Sequence, residues 1–232
     1  MEKSKIAYQN LFKQYPGGLI IRIFLFGISL LFFRIIAHNV FGDLDVGLDH
    51  FIFQQLNDHI INSRLTFLME KITWFASATF LQIGTIGLMF LLIILKSYTR
   101  AIEAVVICVG GYLLNHILKL IYQRVRPPDP MIEPLSNFSF PSGHATSGFI
   151  FYGLIAYFIL KSDLAYFYKY ALALLLVFFS VLIGFSRVYL HIHYFSDVIA
   201  GFCVGFSWLT LSTWVIEFFK SRTIARKSDF EY

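Results

Sequence analysis

Charge is scarce in this chain: 14% of its 232 residues are Asp, Glu, Lys or Arg, against about 25% in a soluble globular domain. Only two cysteines occur, Cys108 and Cys203, both inside apolar runs. They supply neither a disulfide framework nor paired zinc ligands, and they read as small buried hydrophobes. The formal net charge is +5, yet no basic stripe with interleaved aromatics is present, which argues against nucleic acid as a partner. There is no internal repeat and no low-complexity tract. The polar, basic stretch 1–15 contains no small-residue cleavage site before the first apolar run, so that run is expected to be a retained helix rather than a signal peptide.

Apolar surface is what the chain has in excess. Hydrophobic residues make up 57% of it, including 27 Phe, more than a soluble core of this size absorbs, so the remainder is expected to face lipid. Six apolar segments, 18–40, 72–95, 101–123, 143–161, 166–188 and 194–219, each reach the roughly 20 residues that cross a bilayer core. The mixed stretch from Asp49 to Lys71 reads as an interfacial amphipathic helix. The expected fold is all-α and polytopic: one integral membrane domain over 1–232, a bundle of six transmembrane helices with a short interfacial helix before the second span. Segments 1–16 and 220–232 are expected to be cytoplasmic. With the N-terminus inside, 12 of the 19 Lys and Arg fall on the cytoplasmic side, as the positive-inside bias requires. The seven left outside are Arg34, Arg64, Lys71, Lys119, Arg124, Arg126 and Arg187.

That orientation places three polar clusters together at the outer face. Lys119 and Arg126-Pro127 close span three. Pro141-Ser142-Gly143-His144 opens span four. Ser186-Arg187 closes span five, and His193 and Asp197 open span six. Cations are costly near hydrocarbon, so three of them gathered with two histidines point to an anionic ligand, phosphate first. Lys119 and Arg126 are seven apart and would share a helix face. Ser142 suits an N-cap, Gly143 lets a ligand approach the backbone, and a helix N-terminus is an anion site. His193 and Asp197, four apart, would be helical neighbours, the carboxylate holding one ring nitrogen and aiming the other. Each cluster alone has a plainer reading: snorkelling anchors, a capped helix, a polar pair at a helix end. Asn115, His116 and His191 read as packing or supporting residues.

Together the clusters resemble the type 2 phosphatidic acid phosphatase family, whose soluble relatives include the vanadium haloperoxidases. The family signature, Lys-x6-Arg-Pro, Pro-Ser-Gly-His and Ser-Arg-x5-His-x3-Asp, stands here as KLIYQRVRP (119–127), PSGH (141–144) and SRVYLHIHYFSD (186–197). The resemblance covers the last four spans by motif. It implies a phosphatase that needs no metal or other cofactor and works through a phosphohistidine. On that pattern His193 is the nucleophile and Asp197 orients it. His144 is the acid for the leaving oxygen. Lys119, Arg126, Ser142, Gly143 and Arg187 hold the phosphate oxygens.

The partners implied are the bilayer and a membrane lipid phosphate; oligomeric state is left open. Undecaprenyl diphosphate comes first among substrates, with lipid A 1-phosphate and phosphatidylglycerol phosphate behind it. Three rivals stay open from the residues: an anion transporter, a metalloenzyme using His144, His191, His193 and Asp197, and phosphotransfer to another lipid. The spans are not visibly interrupted in paired halves, and a transporter needs no His-x3-Asp pair, which both count against the first. Three nearby cations oppose the metal.

Overall fold

The computed structural model describes residues 16–133 and 136–228. Residues 1–15 of the expected N-terminal segment, residues 134–135 and the end of the expected tail, 229–232, lie outside the described residues. The described residues form eight helices and no strand. In chain order these are α1 Pro16–Phe41, α2 Gly47–His59, α3 Ser63–Trp74, α4 Ala78–Ile94, α5 Tyr98–Tyr122, α6 Gly143–Leu160, α7 Tyr166–Tyr189 and α8 Phe195–Ser228.

Five helices contain stretches long and apolar enough to cross a membrane: Ile20–Phe41, Tyr98–Tyr122, Gly143–Leu160, Tyr166–Tyr189 and Phe195–Lys220. A sixth crossing requires α3 and α4 together, two helices bent by 43°. The protein is therefore a multi-pass membrane protein, with one span differing from the sequence reading. The expected span 72–95 is not one helix, and the stretch expected as one interfacial helix is two, α2 and α3. The break has local causes. The Ser77 side chain accepts from Phe80 N at 3.2 Å and starts α4 afresh, while Asn62 caps α3 by accepting from Leu65 N at 2.9 Å. The Tyr152 hydroxyl donates to the Phe75 carbonyl at 2.8 Å, fixing the bend against α6. At the far end α8 runs on through Ser228, past the expected close of the last span.

The most enclosed crossing is α6, 56% buried. It lies between α7, α8 and α5, with α1 laid on α8, α4 on α5 and α3 on α7. Phe24, Phe32, Phe90 and Phe178 point outward with more than half their surface free, the face a lipid-embedded bundle presents. Gly201 lets α8 approach the start of α6: a Cβ there would lie 2.8 Å from the Ser142 carbonyl oxygen. The loop between α5 and α6 is braced by an aromatic box in which Phe33, Phe41, Tyr122 and Phe140 meet at centroid distances of 4.9 to 5.9 Å. These contacts gather α1, the end of α5, the intervening loop and the starts of α6 and α8.

Candidate active site

The three clusters expected from the sequence meet at this end of the bundle. Lys119, in the last turn of α5, is buried; its Nζ donates to the carbonyls of Phe138 at 2.5 Å and Ser139 at 3.1 Å. Arg126 does not share a helix face with it, because α5 stops at Tyr122 and Gln123 takes a left-handed φ of 46°. The two cations converge on the same strip of backbone instead. Arg126 Nε donates to Asn137 O at 2.8 Å, its Nη1 donates to Ile192 O at 2.8 Å, and the same Nη1 lies 3.1 Å from His193 Nε2. Arg187 is 2% exposed. Its Nη1 donates to Thr73 Oγ1 at 2.8 Å, and its buried Nε has no partner. Lys119, Arg126 and Arg187 form no ion pair among the described residues.

His193 sits just before α8 and is almost fully enclosed. Its Nδ1 lies 3.2 Å from Ser139 Oγ and 3.4 Å from Asp197 Oδ2. The Asp197 carboxylate is fully buried and well held: Oδ1 accepts from Arg124 Nη1 at 2.6 Å, and Oδ2 accepts from Tyr194 N at 3.1 Å and from the Ser139 hydroxyl. Those contacts favour the tautomer with the proton on Nδ1 and the lone pair on Nε2. Burial first, and then the charges of Arg126, Arg187 and Lys119, push the imidazole well below its ordinary pKa of 6.5. The ring is thus a neutral base at pH 7, with its free electron pair facing the cations.

The start of α6 closes the site. Ser142 is fully buried; its Oγ caps Ala145 N at 3.5 Å, and its N donates to the Asp197 carbonyl at 3.0 Å, tying α6 to α8. A Cβ on Gly143 would stand 3.3 Å from Asn115 Oδ1 and 3.9 Å from Lys119 Cε, so this backbone faces the lysine directly. His144 follows, within electrostatic reach of Arg187, His193, Arg126 and Lys119. A helix N-terminus, three cations without carboxylates and an imidazole backed by a carboxylate stand together, an arrangement that can hold an oxyanion beside a nitrogen nucleophile.

Of the residues read as supporting, Asn115 does support: its Nδ2 donates to Thr146 Oγ1 at 3.0 Å and Pro141 O at 3.4 Å, bracing the start of α6. His116 is exposed and stacks on Tyr112 outside the site. His191, at φ 54°, lays its ring 4.5 Å from Phe53, away from His193. No group of three or more His, Cys, Asp or Glu among the described residues could hold a metal ion.

Sequence reasoning missed Ser139, Asn137, Thr73, Arg124, Ser196 and Asp49. Two had a readable signal: Arg124 is a third cation in the run that holds Arg126, and Ser139 lies three residues before Ser142. Asp49 and Thr73 had none.

With this geometry in hand, three likenesses gain meaning. The sequence model of the PAP2 superfamily matches residues 100–221, which hold all three clusters. Over 95 residues the chain is 41% identical to phosphatidylglycerophosphatase B of Bacillus subtilis (strain 168), a match spanning 40% of this chain and 46% of that protein's length. The fold is similar to the crystal structure of a transmembrane PAP2 type phosphatidylglycerolphosphate phosphatase from Bacillus subtilis. There the TM-score is 0.73 at 29% identity, over 83% of this chain and 96% of that one.

Proposed function

The chain belongs to the PAP2 superfamily, and on that basis we propose that it is a lipid phosphate phosphatase working through a phosphohistidine. The observation that carries the reading is the pairing of three cations lacking carboxylate partners with a neutral, Asp-backed imidazole. His193 Nε2 attacks phosphorus in line; the N–P bond forms as the bond from phosphorus to the lipid oxygen breaks. His144 gives its proton to that oxygen, so the lipid leaves as an alcohol, or as a monophosphate from a diphosphate. Lys119, Arg126 and Arg187, with the Ser142 hydroxyl and the Gly143 N–H, hold the three equatorial oxygens where charge is spread. Asp197 keeps the proton on Nδ1 and offsets the positive charge of the phosphorylated ring. Water, losing a proton to His144, then breaks the N–P bond and releases inorganic phosphate.

The whole chain is proposed to serve as one membrane domain, with both termini cytoplasmic and the site facing out of the cytoplasmic membrane, as the positive-charge bias supports. Substrate choice is refined by the relatives. Both named relatives are phosphatases of phosphatidylglycerol phosphate, which moves that lipid ahead of undecaprenyl diphosphate and lipid A 1-phosphate.

The test is phosphate release in detergent micelles from a panel of these three lipids, with chelator or vanadate added. Expected are release that survives chelator, inhibition by vanadate, and the highest kcat/KM on phosphatidylglycerol phosphate. Loss of activity in chelator, or no release from any lipid, would sink the reading. An acid-labile, base-stable phosphoenzyme, absent from His193→Ala, is the second expected result.

A further inference from the structure

Beyond the cradle lies a second charged group that the chemistry above leaves unused. Arg124, in the loop after α5, is 9% exposed and Asp49, in the first turn of α2, is 2% exposed. Both terminal nitrogens of Arg124 are taken: Nη1 donates to Asp197 Oδ1 at 2.6 Å and Ser196 Oγ at 2.7 Å, and Nη2 donates to Asp49 Oδ2 at 2.8 Å. Its guanidinium also lies 4.0 Å from the centre of the Tyr194 ring. The remaining capacity of Asp49 is spent on Ser196: Oδ1 accepts from its N at 2.9 Å and Oδ2 from its Oγ at 2.6 Å. Each terminal nitrogen of Arg124 thus already donates to a carboxylate, whereas Arg187 donates to none and keeps a buried Nε without a partner.

We propose that Arg124 and Asp49 are a positioning pair for the nucleophile, Arg124 locking the Asp197 carboxylate and Asp49 restoring the negative charge that Arg124 cancels. This inference rests on the phosphatase reading. Its physical basis is a charge count. Asp197 must steady a ring that becomes positive as the N–P bond forms, while three other cations crowd the same ring. Paired with Arg124 alone, Asp197 would be half of a neutral pair and would lend the ring little field. With Asp49 on the other side of the guanidinium, the trio keeps one net negative charge. Spanning two carboxylates takes a planar fork bound on both arms. Because Asp49 belongs to α2, that short helix becomes part of the catalytic frame.

A purely structural tether between α2 and α8 would alter stability alone. The positioning role instead predicts a selective loss of turnover. Asp49→Asn keeps the shape and removes the charge. In micellar assays its kcat should fall about tenfold, the effect of one unit charge across a partly polar interior, with KM within about twofold. Arg124→Lys, which keeps a charge but cannot bridge both carboxylates, should show the same kcat-selective loss, and it decides the matter if Asp49→Asn does not fold. A kcat within about twofold of wild type in a folded variant would overturn the inference, and so would a loss confined to KM. Wild-type protein that releases no phosphate would overturn the phosphatase reading and this inference together. Active wild type with unaltered variants overturns this inference alone.

Discussion

The two ends of the bundle handle charge in opposite ways. At the end away from the site, the ion pairs among the described residues centre on two glutamates: Arg22 meets Glu217 at 2.6 Å, Lys161 meets Glu217 at 3.1 Å and Lys220 meets Glu103 at 2.5 Å. The Tyr157 hydroxyl adds to Glu217 at 2.9 Å. These pairs join α1, α5, α6 and α8, and their cations are 43 to 51% exposed at the side chain, so each contributes no more than about 1 kcal/mol. At the site end four cations face two carboxylates, and both carboxylates bind the same arginine. Lys119, Arg126 and Arg187 are left with carbonyls, an amide, a hydroxyl and a histidine as partners. One end pairs three cations with two glutamates; at the other, three buried or half-buried cations stand without a carboxylate, as an anion site requires.

The largest effect is expected at His193, the proposed nucleophile. His193→Ala should reduce phosphate release by about 10⁴-fold or more, as removal of a covalent nucleophile does. Glu217→Gln, at the ion-paired end, should leave kcat within about twofold. Near-equal losses in the two variants would mean that the two clusters do not differ in function. Next in size is Arg187→Lys, expected to lower kcat/KM by about 10²-fold, because an ammonium keeps the charge but loses the planar donors, including the unpartnered Nε.

Stability sharpens the contrast without any turnover. An oxyanion should supply what the site-end cations lack, so vanadate at about 100 times its Kd should stabilise the folded protein by about 2.7 kcal/mol, a Tm rise of several degrees. Glu217→Gln should retain that rise and Arg187→Ala should lose most of it. Thermal unfolding in detergent, followed with and without vanadate, decides between them.

How much of this was readable beforehand follows from the distance over which each feature is encoded. The spans are long apolar runs, and the cluster residues stand at short spacings around helix ends, so both lie open in local sequence. The broken second crossing was hidden by its own hydropathy, although Ser77 before an apolar run is a local cap signal. Asp49 meets Ser196 across 147 residues and Thr73 meets Arg187 across 114; such contacts leave no periodic trace. The shared helix face expected of Lys119 and Arg126 failed for a different reason. Their spacing fits two helical turns, yet the helix ends between them, and the cations converge because the 137–139 backbone reaches both.

The smallest expected effect is a pH dependence confined to the site end. His193 is held well below its ordinary pKa, by burial first and then by Arg126, Arg187 and Lys119. Facing it also are Asp197 from α8, Ser139 from the loop and His144 from α6. In the unfolded chain the same imidazole binds a proton near pH 6.5. Between that value and its folded pKa the unfolded state therefore carries more protons, and stability must decline as pH falls. The loss should begin near pH 6.5 and amount to no more than about 1.4 kcal/mol per pH unit until the folded pKa is reached. His191, also held low by burial, adds to the decline with the same sign. The contribution of His193 is therefore the difference between wild type and His193→Gln, whose Tm should fall less steeply from pH 7.5 to 5.5. Identical slopes for the two proteins would mean that His193 is not held neutral, and the unsatisfied positive charge at this end would lose its clearest electrostatic consequence.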